Sequence, residues 1–243
     1  MTTISSSHNP HLKELRRLRR RRERERSLRF VAEGEDLIAA ARRAGRPMLE
    51  GYRAAEAALG EEIDAHELTE VDPKLLAEVS TLGSGTRALG VYEQHWSERA
   101  VGPLCIYLHG LADPGNVGTA LRAAAAFGAS SVALGPGCAD PHSPKAVRAS
   151  MGAIFGVALA HSETVEELPG QCLALVAHAG EPLHEMDLEL PLTLLVGSER
   201  EGLPADVVAQ CEQVAHIPIA TDSLNAAMAA TIALYEVTRV RPV

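Results

Sequence analysis

The run LCIYLHGLADPGNVGTALRAAAAFGASSVALG, residues 104–135, carries the fold in miniature. Two short apolar segments, LCIYL and SSVALG, flank a Pro/Gly turn and an Ala-rich helix whose first two turns hold Asn116 and Arg122. Neither apolar segment alternates with polar residues. A strand with one wet face must alternate, so these strands are covered on both faces, as in a parallel sheet between helical layers. The same signature returns in CLALVAHA, LTLLVG and VAHIPI, with helix-forming stretches PKAVRASMG, PADVVAQC and SLNAAMAATIALYEVTR between and after them. A wound α/β sheet flanked by helices is the expectation for residues 104–243.

Working toward the N-terminus, residues 96–103 are polar and end in Gly102–Pro103, which marks a linker. Residues 1–95 then form a separate small α/β unit. RFVAEG and ALGVYEQ read as strands, EDLIAAARRAG as a helix stopped at Gly45, and DPKLLAEVS as a second helix. AAEAALG is also expected to be helical and IDAHEL to be a strand. Residues 12–29 are helix-forming but almost entirely charged, with a thin apolar stripe at Leu12, Leu15, Leu18 and Leu28, so they should project as an arm.

Charge is distributed unevenly. The net charge is −9, yet residues 1–30 hold ten Lys/Arg against three Asp/Glu, which leaves −16 on the rest. A cationic end on an acidic body suits a polyanionic partner, and RNA or DNA is the natural one. Lys13, Arg16, Arg17, Arg20 and Arg24 are candidate phosphate contacts, with Lys145 and Arg148 as secondary candidates; a solvated basic helix is the plainer alternative. The four cysteines are far apart and form no CxxC pair, the histidines are scattered, and no apolar run is long enough to span a bilayer. These features point to a cytoplasmic protein without a metal site and without a membrane segment.

Three segments carry chemistry. In the first, Arg122 sits on an otherwise apolar helix after a strand-end loop, so it either faces an anionic partner in a cleft or simply lies on the surface. The second, VGSEREGLP, brackets Glu199 with Gly197 and Gly202, and glycines there allow close backbone approach to a ligand. Neither GxGxxG nor GxxxxGK occurs, and GSGTRA at Gly83 is only a loose echo. The third, HIPIATDSLN, ends a strand and leads into a long apolar helix that Asp222 or Ser223 can cap and that must be buried against the domain, a second subunit, or both.

In order and content the three segments resemble the motifs of the SpoU (TrmH-like) RNA 2'-O-ribose methyltransferases of the SPOUT superfamily, over nearly all of residues 103–243. Asn116 and Arg122 match the first motif, Gly197, Glu199 and Gly202 the second, and Ser223, Leu224 and Asn225 the third. Residues 1–95 are similar, more loosely, to the family's substrate-binding extension, a small domain like ribosomal protein L30e. The resemblance implies a SPOUT-type α/β domain with a mostly parallel sheet and a trefoil knot. It also implies a homodimer whose site borrows residues across the interface, and RNA as substrate, ribosomal rather than transfer RNA. S-adenosyl-L-methionine would be held around Val196, Gly197, Gly202, Ile217, Ile219 and Leu224, with Arg122, Asn116, Glu199, Ser223 and Asn225 as the catalytic set. Two departures stand out: the segment between Ile217 and Ser223 is shorter than usual, and Ala227 replaces a small polar residue. An arginine whose pKa exceeds about 12 is no base at neutral pH, so Arg122 would stabilise alkoxide charge electrostatically. The rival readings are a non-catalytic RNA-binding or ribosome-assembly factor on the same fold, and a nucleotide-dependent oxidoreductase.

Overall fold

The computed structural model describes residues 3–81 and 85–240, so Gly83 and Ser84 of GSGTRA lie outside the described residues. In chain order the elements are α1 (Pro10–Leu18), α2 (Arg21–Ser27), β1 (Arg29–Glu33), α3 (Glu35–Arg43), β2 (Glu50–Ala54), β3 (Thr69–Val71), α4 (Pro73–Val79) and β4 (Ala88–Glu93). They continue as β5 (Leu104–Leu108), α5 (Pro114–Ala126), β6 (Ser131–Leu134), α6 (Pro144–Ala149), β7 (Ala158–His161) and β8 (Gln171–Val176). The last are β9 (Glu181–Pro182), β10 (Leu192–Val196), α7 (Ala205–Val208), β11 (Gln213–His216) and α8 (Ala226–Val240). The chain divides into two compact units, Met1–Gln94 with His142–Phe155, and His95–Pro141 with Gly156–Val243.

The first unit is built on the sheet β1-β4-β2-β3, antiparallel except for β2 with β3. Here the basic arm differs from expectation. Asn9 caps α1 by accepting from the His11 amide at 2.9 Å, and Leu12, Leu15 and Leu18 are 0–2 % exposed among Tyr52, Val71, Leu76 and Leu89. Three of the four stripe leucines are buried and only Leu28 is exposed, so the helix packs rather than projects. Arg24 is 3 % exposed, and its Nη1 donates to the carbonyls of Leu18 and Arg19, both at 2.8 Å, bracing the α1–α2 corner.

AAEAALG is not a helix: Ala54 closes β2, and Glu56 takes a positive φ of 61°. IDAHEL is not a strand either, since Asp64 caps a single 3-10 turn, Ala65–Glu67, and the strand begins at Thr69. Strands β2 and β3 are defined by pairing with partners far along the chain, which local pattern does not report. PKAVRASMG also lies elsewhere than expected. His142–Phe155 belongs to the first unit, where Phe155 meets the Tyr92 ring edge-on at 4.9 Å and His142 lies 4.9 Å from the Phe30 ring.

The second unit is a seven-stranded parallel sheet in the order β7-β6-β5-β10-β8-β11-β9. All five residues of β5 and of β10 are buried, as continuous apolar strands require. Parallel register brings Leu108, Val196, Val176 and His216 to one edge, so the loops that follow β5, β10, β8 and β11 converge there. On one side α5 and α8 pack together, with α8 also against β10.

Candidate active site at the carboxyl edge of the parallel sheet

Each converging loop is shaped by a local device. After β5, the Asp113 carboxylate accepts from the amides of Gly115 and Asn116 at 2.7 and 3.1 Å, which starts α5 and fixes Asn116 in its first turn. After β10 the chain reverses tightly: the Ser198 carbonyl accepts from the Gly202 amide at 3.0 Å and the Ser198 hydroxyl accepts from the Glu201 amide at 3.2 Å. Gly202 needs its φ of 68°, and a Cβ on Gly197 would sit 2.1 Å from the Gly202 carbonyl carbon. Both glycines are therefore dictated by the turn.

The third device corrects the expected cap. Neither Asp222 nor Ser223 caps α8; the Asn225 side-chain oxygen does, accepting from the amides of Ala227 and Met228 at 3.1 and 3.2 Å. The helix starts at Ala226, so only residue 225 stands at the right distance from its first free amides. The Asn225 amide nitrogen remains free to point away from the helix. It donates to Asn116 Oδ1 at 3.0 Å and to Glu199 Oε1 at 3.4 Å, while Asn116 Nδ2 also donates to Glu199. A three-membered node thus ties the start of α5, the Gly197–Gly202 turn and the start of α8.

Beside the node opens a cavity of about 480 Å³. Its walls include Val196, Gly197, Gly202, Ile217, Ile219 and Leu224, the six residues expected around a cofactor. Of the expected catalytic set, Glu199 and Ser223 line the cavity, and Asn116 and Asn225 join Glu199 in the node. Arg122 is not brought to this cavity. It is exposed on α5 and makes no hydrogen bond or ion pair with the described residues. Among the lining residues that went unforeseen are Leu175, Val176 and Ala177 at the end of β8. The apolar run CLALVAHA marked a strand there, but only the strand order sets it beside β10 and β11.

On α8, Met228, Ile232 and Tyr235 are 57, 39 and 53 % exposed, spaced to form one stripe, and the Tyr235 ring stands edge-on to Phe127 of α5 at 6.2 Å. Among the expected RNA contacts, Lys13, Arg17 and Arg20 are exposed. Arg16 is engaged with the Ser7 carbonyl at 2.9 Å and Glu78 at 3.2 Å, and Arg24 is buried, so its role is structural rather than phosphate contact. Lys145 and Arg148 are exposed on α6, in the first unit rather than the one that holds the cavity. Burial pushes the thiol pKa of Cys172 up to about 12 and that of Cys211 to about 11, with Glu212 adding to both, so neither is a nucleophile at neutral pH.

Comparison with known proteins agrees with this fold. Residues 103–235 match the SpoU rRNA methylase family, and residues 9–90 match the MRM3-like substrate binding domain. An uncharacterized tRNA/rRNA methyltransferase of Synechocystis sp. is 31 % identical, over 98 % of this chain and 94 % of that one. The 23S rRNA (guanosine(2553)-2'-O)-methyltransferase RlmP of Bacillus subtilis is 26 % identical over 97 % and 98 % of the two chains. The crystal structure of an AdoMet-bound rRNA methyltransferase from Sinorhizobium meliloti superposes with a TM-score of 0.85 at 28 % identity, covering 100 % of this chain and 99 % of that one.

Proposed function

The chain belongs to the SpoU rRNA methylase family, and from that premise we propose that it transfers a methyl group from S-adenosyl-L-methionine to a ribose 2'-hydroxyl of RNA, with ribosomal RNA as substrate. The observation that carries the reading is the Asn116–Glu199–Asn225 node at the mouth of the cavity. The cavity suits such a donor. Its volume falls within the usual range for small-molecule sites, Ile217, Ile219 and Leu203 offer apolar walls to a base, and Glu199, Glu201 and Asp222 place carboxylates near a cation.

The donor, when bound, supplies an electrophilic methyl group on a sulfonium; the chain's own residues must then hold the hydroxyl oxygen in line and stabilise the charge it develops. Asn116 and Asn225, oriented by Glu199, hold the acceptor side of the site. Arg122 stabilises the developing alkoxide and grips the neighbouring phosphate, with no change in its own protonation. It does so at the cavity of a second subunit. Two features support that arrangement: Arg122 is exposed and without a partner among the described residues, and the neighbouring α8 carries an uncovered apolar stripe at Met228, Ile232 and Tyr235. A knotted C-terminal path belongs to the same reading; the insertion of β10 between β5 and β8, with α8 returning against α5, supports it. Exposed Lys13, Arg17 and Arg20 contact phosphates, and a cytoplasmic location accompanies that substrate.

Incubation with methyl-labelled S-adenosyl-L-methionine and total ribosomal RNA, followed by alkaline hydrolysis, tests the proposal. A ribose methyl blocks cleavage and leaves the label in alkali-resistant dinucleotides. Label found only in mononucleotides overturns the ribose assignment.

A further inference from the structure

The lining of the cavity beside the node divides by burial. Leu175, Val196, Leu203 and Ala226 are buried and form an apolar wall, whereas Glu199, Arg200, Glu201 and Asp222 are exposed and form a charged rim. The backbone supplies the reason. Ser198 and Gly202 are bridged across the base of the turn, so residues 199–201 stand at its tip, and the segment after β11 brings Asp222 to the same cavity. The capping role open to Asp222 falls instead to Asn225, which leaves the Asp222 carboxylate unused by α8.

The four rim charges are not equivalent. Glu199 is committed, accepting from Asn116 and Asn225 in the node. The side chains of Arg200, Glu201 and Asp222 make no hydrogen bond or ion pair with the described residues, and Arg200 is the only cationic residue among those that line the cavity. Two free carboxylates and one free guanidinium therefore border a cavity whose remaining wall is apolar. S-adenosyl-L-methionine carries the inverse set. At the end away from its adenine it holds an ammonium, a sulfonium and one carboxylate. Opposite charges attract more strongly in a cleft partly shielded from water than on open surface, and a guanidinium meets a carboxylate in a planar, two-bond pair.

We infer that Arg200 is a further donor-binding residue, which takes the carboxylate of S-adenosyl-L-methionine while Glu201 and Asp222 face its ammonium and sulfonium. The inference deepens the methyl-donor reading of this cavity and rests on it. A phosphate of the RNA is the competing partner for Arg200, but three carboxylates against one guanidinium leave the rim net negative, which disfavours a polyanion there. The rim also bears on product release. Once the methyl group has moved to the acceptor oxygen, the sulfur is an uncharged thioether, so one attraction to the rim is lost and S-adenosyl-L-homocysteine is held less tightly than the donor.

Calorimetry on the full chain at low salt with S-adenosyl-L-methionine, its decarboxylated analogue and S-adenosyl-L-homocysteine tests it. The decarboxylated analogue lacks only the carboxylate, and the parent protein is expected to bind it about tenfold more weakly than the donor. Arg200→Ala should weaken donor binding about tenfold and bring the two ligands within about twofold of each other. Glu201→Gln combined with Asp222→Asn should shrink the preference for the donor over S-adenosyl-L-homocysteine from about tenfold to within about twofold. Each reading is a ratio of two ligands on one protein, so a turn disturbed by substitution, which weakens both alike, does not imitate the expected result. Equal binding of donor and decarboxylated analogue by the parent overturns the assignment, and so does a parental preference that survives in Arg200→Ala. Loss of RNA affinity in Arg200→Ala with that preference intact overturns it in favour of an RNA phosphate. A parent protein that binds none of the three ligands removes the donor reading itself, and the inference with it, so the two failures are distinguishable.

Discussion

Asn225 holds two jobs with two ends of one side chain, and two substitutions separate them. Its oxygen caps α8 and its nitrogen closes the node with Asn116 and Glu199. Asn225→Ala removes both: a lost cap costs about 1 kcal/mol, and the donated bonds, at an exposed residue, add about 1 kcal/mol more. For a chain of this size about 2 kcal/mol corresponds to a melting-point drop of roughly 4–8 °C. Asn225→Asp keeps an acceptor for the Ala227 and Met228 amides and places negative charge at the start of α8, worth about 0.3–1 kcal/mol in its favour. It also sets a carboxylate against Glu199 where a donor stood, which breaks the node. The expected outcome is a near-parental melting point for Asn225→Asp, a lowered one for Asn225→Ala, and methyl transfer reduced at least about tenfold in both, the equivalent of 1.4 kcal/mol. Thermal melts followed by circular dichroism, with initial rates of label transfer to ribosomal RNA, measure the two effects. If Asn225→Asp melts as low as Asn225→Ala, the cap is not what stabilises α8; if it turns over at the parental rate, the node has no part in catalysis.

Arg122→Ala should bind S-adenosyl-L-methionine normally and lose methyl transfer, as calorimetry and label incorporation will show; near-parental turnover would remove Arg122 from the mechanism. Gly197→Ala should lose cofactor affinity, because its Cβ would collide at 2.1 Å with the Gly202 backbone and force the turn open. Mixing these two inactive variants and allowing subunit exchange should restore about a quarter of the parental activity if Arg122 serves the partner's cavity, since half the dimers then hold one complete site. No recovery despite exchange would place Arg122 in its own subunit's site. Arg24→Ala should cost about 2–4 kcal/mol in denaturant unfolding, through lost hydrogen bonds from a buried guanidinium, whereas Arg17→Ala should leave stability unchanged and weaken RNA binding at low salt.

The sequence alone determined whatever depends on short-range periodicity and on backbone exceptions. Continuous apolar runs marked β5, β6, β8 and β10 as strands covered on both faces, and Gly197 and Gly202 marked a turn that only glycines permit; VAHIPI marked β11, which is only part-buried and ends at His216 rather than Ile219. Of the residues the three motifs singled out, Asn116, Glu199 and Asn225 meet in one node, whereas Arg122 stands away from the cavity. Tertiary structure decided what depends on partners far along the chain. Strands β2 and β3 exist because β4 and β2 pair with them, and α1 is a core helix because three leucines find Tyr52, Val71 and Leu89. Residues 142–155 join the first unit because Phe30 and Tyr92 await Phe155. The node itself was invisible for the same reason: its three members lie 26 to 109 residues apart, and their contact follows from β5, β10 and β11 ending at one edge. Local pattern reports which face of an element is buried; only the packed chain reports against what.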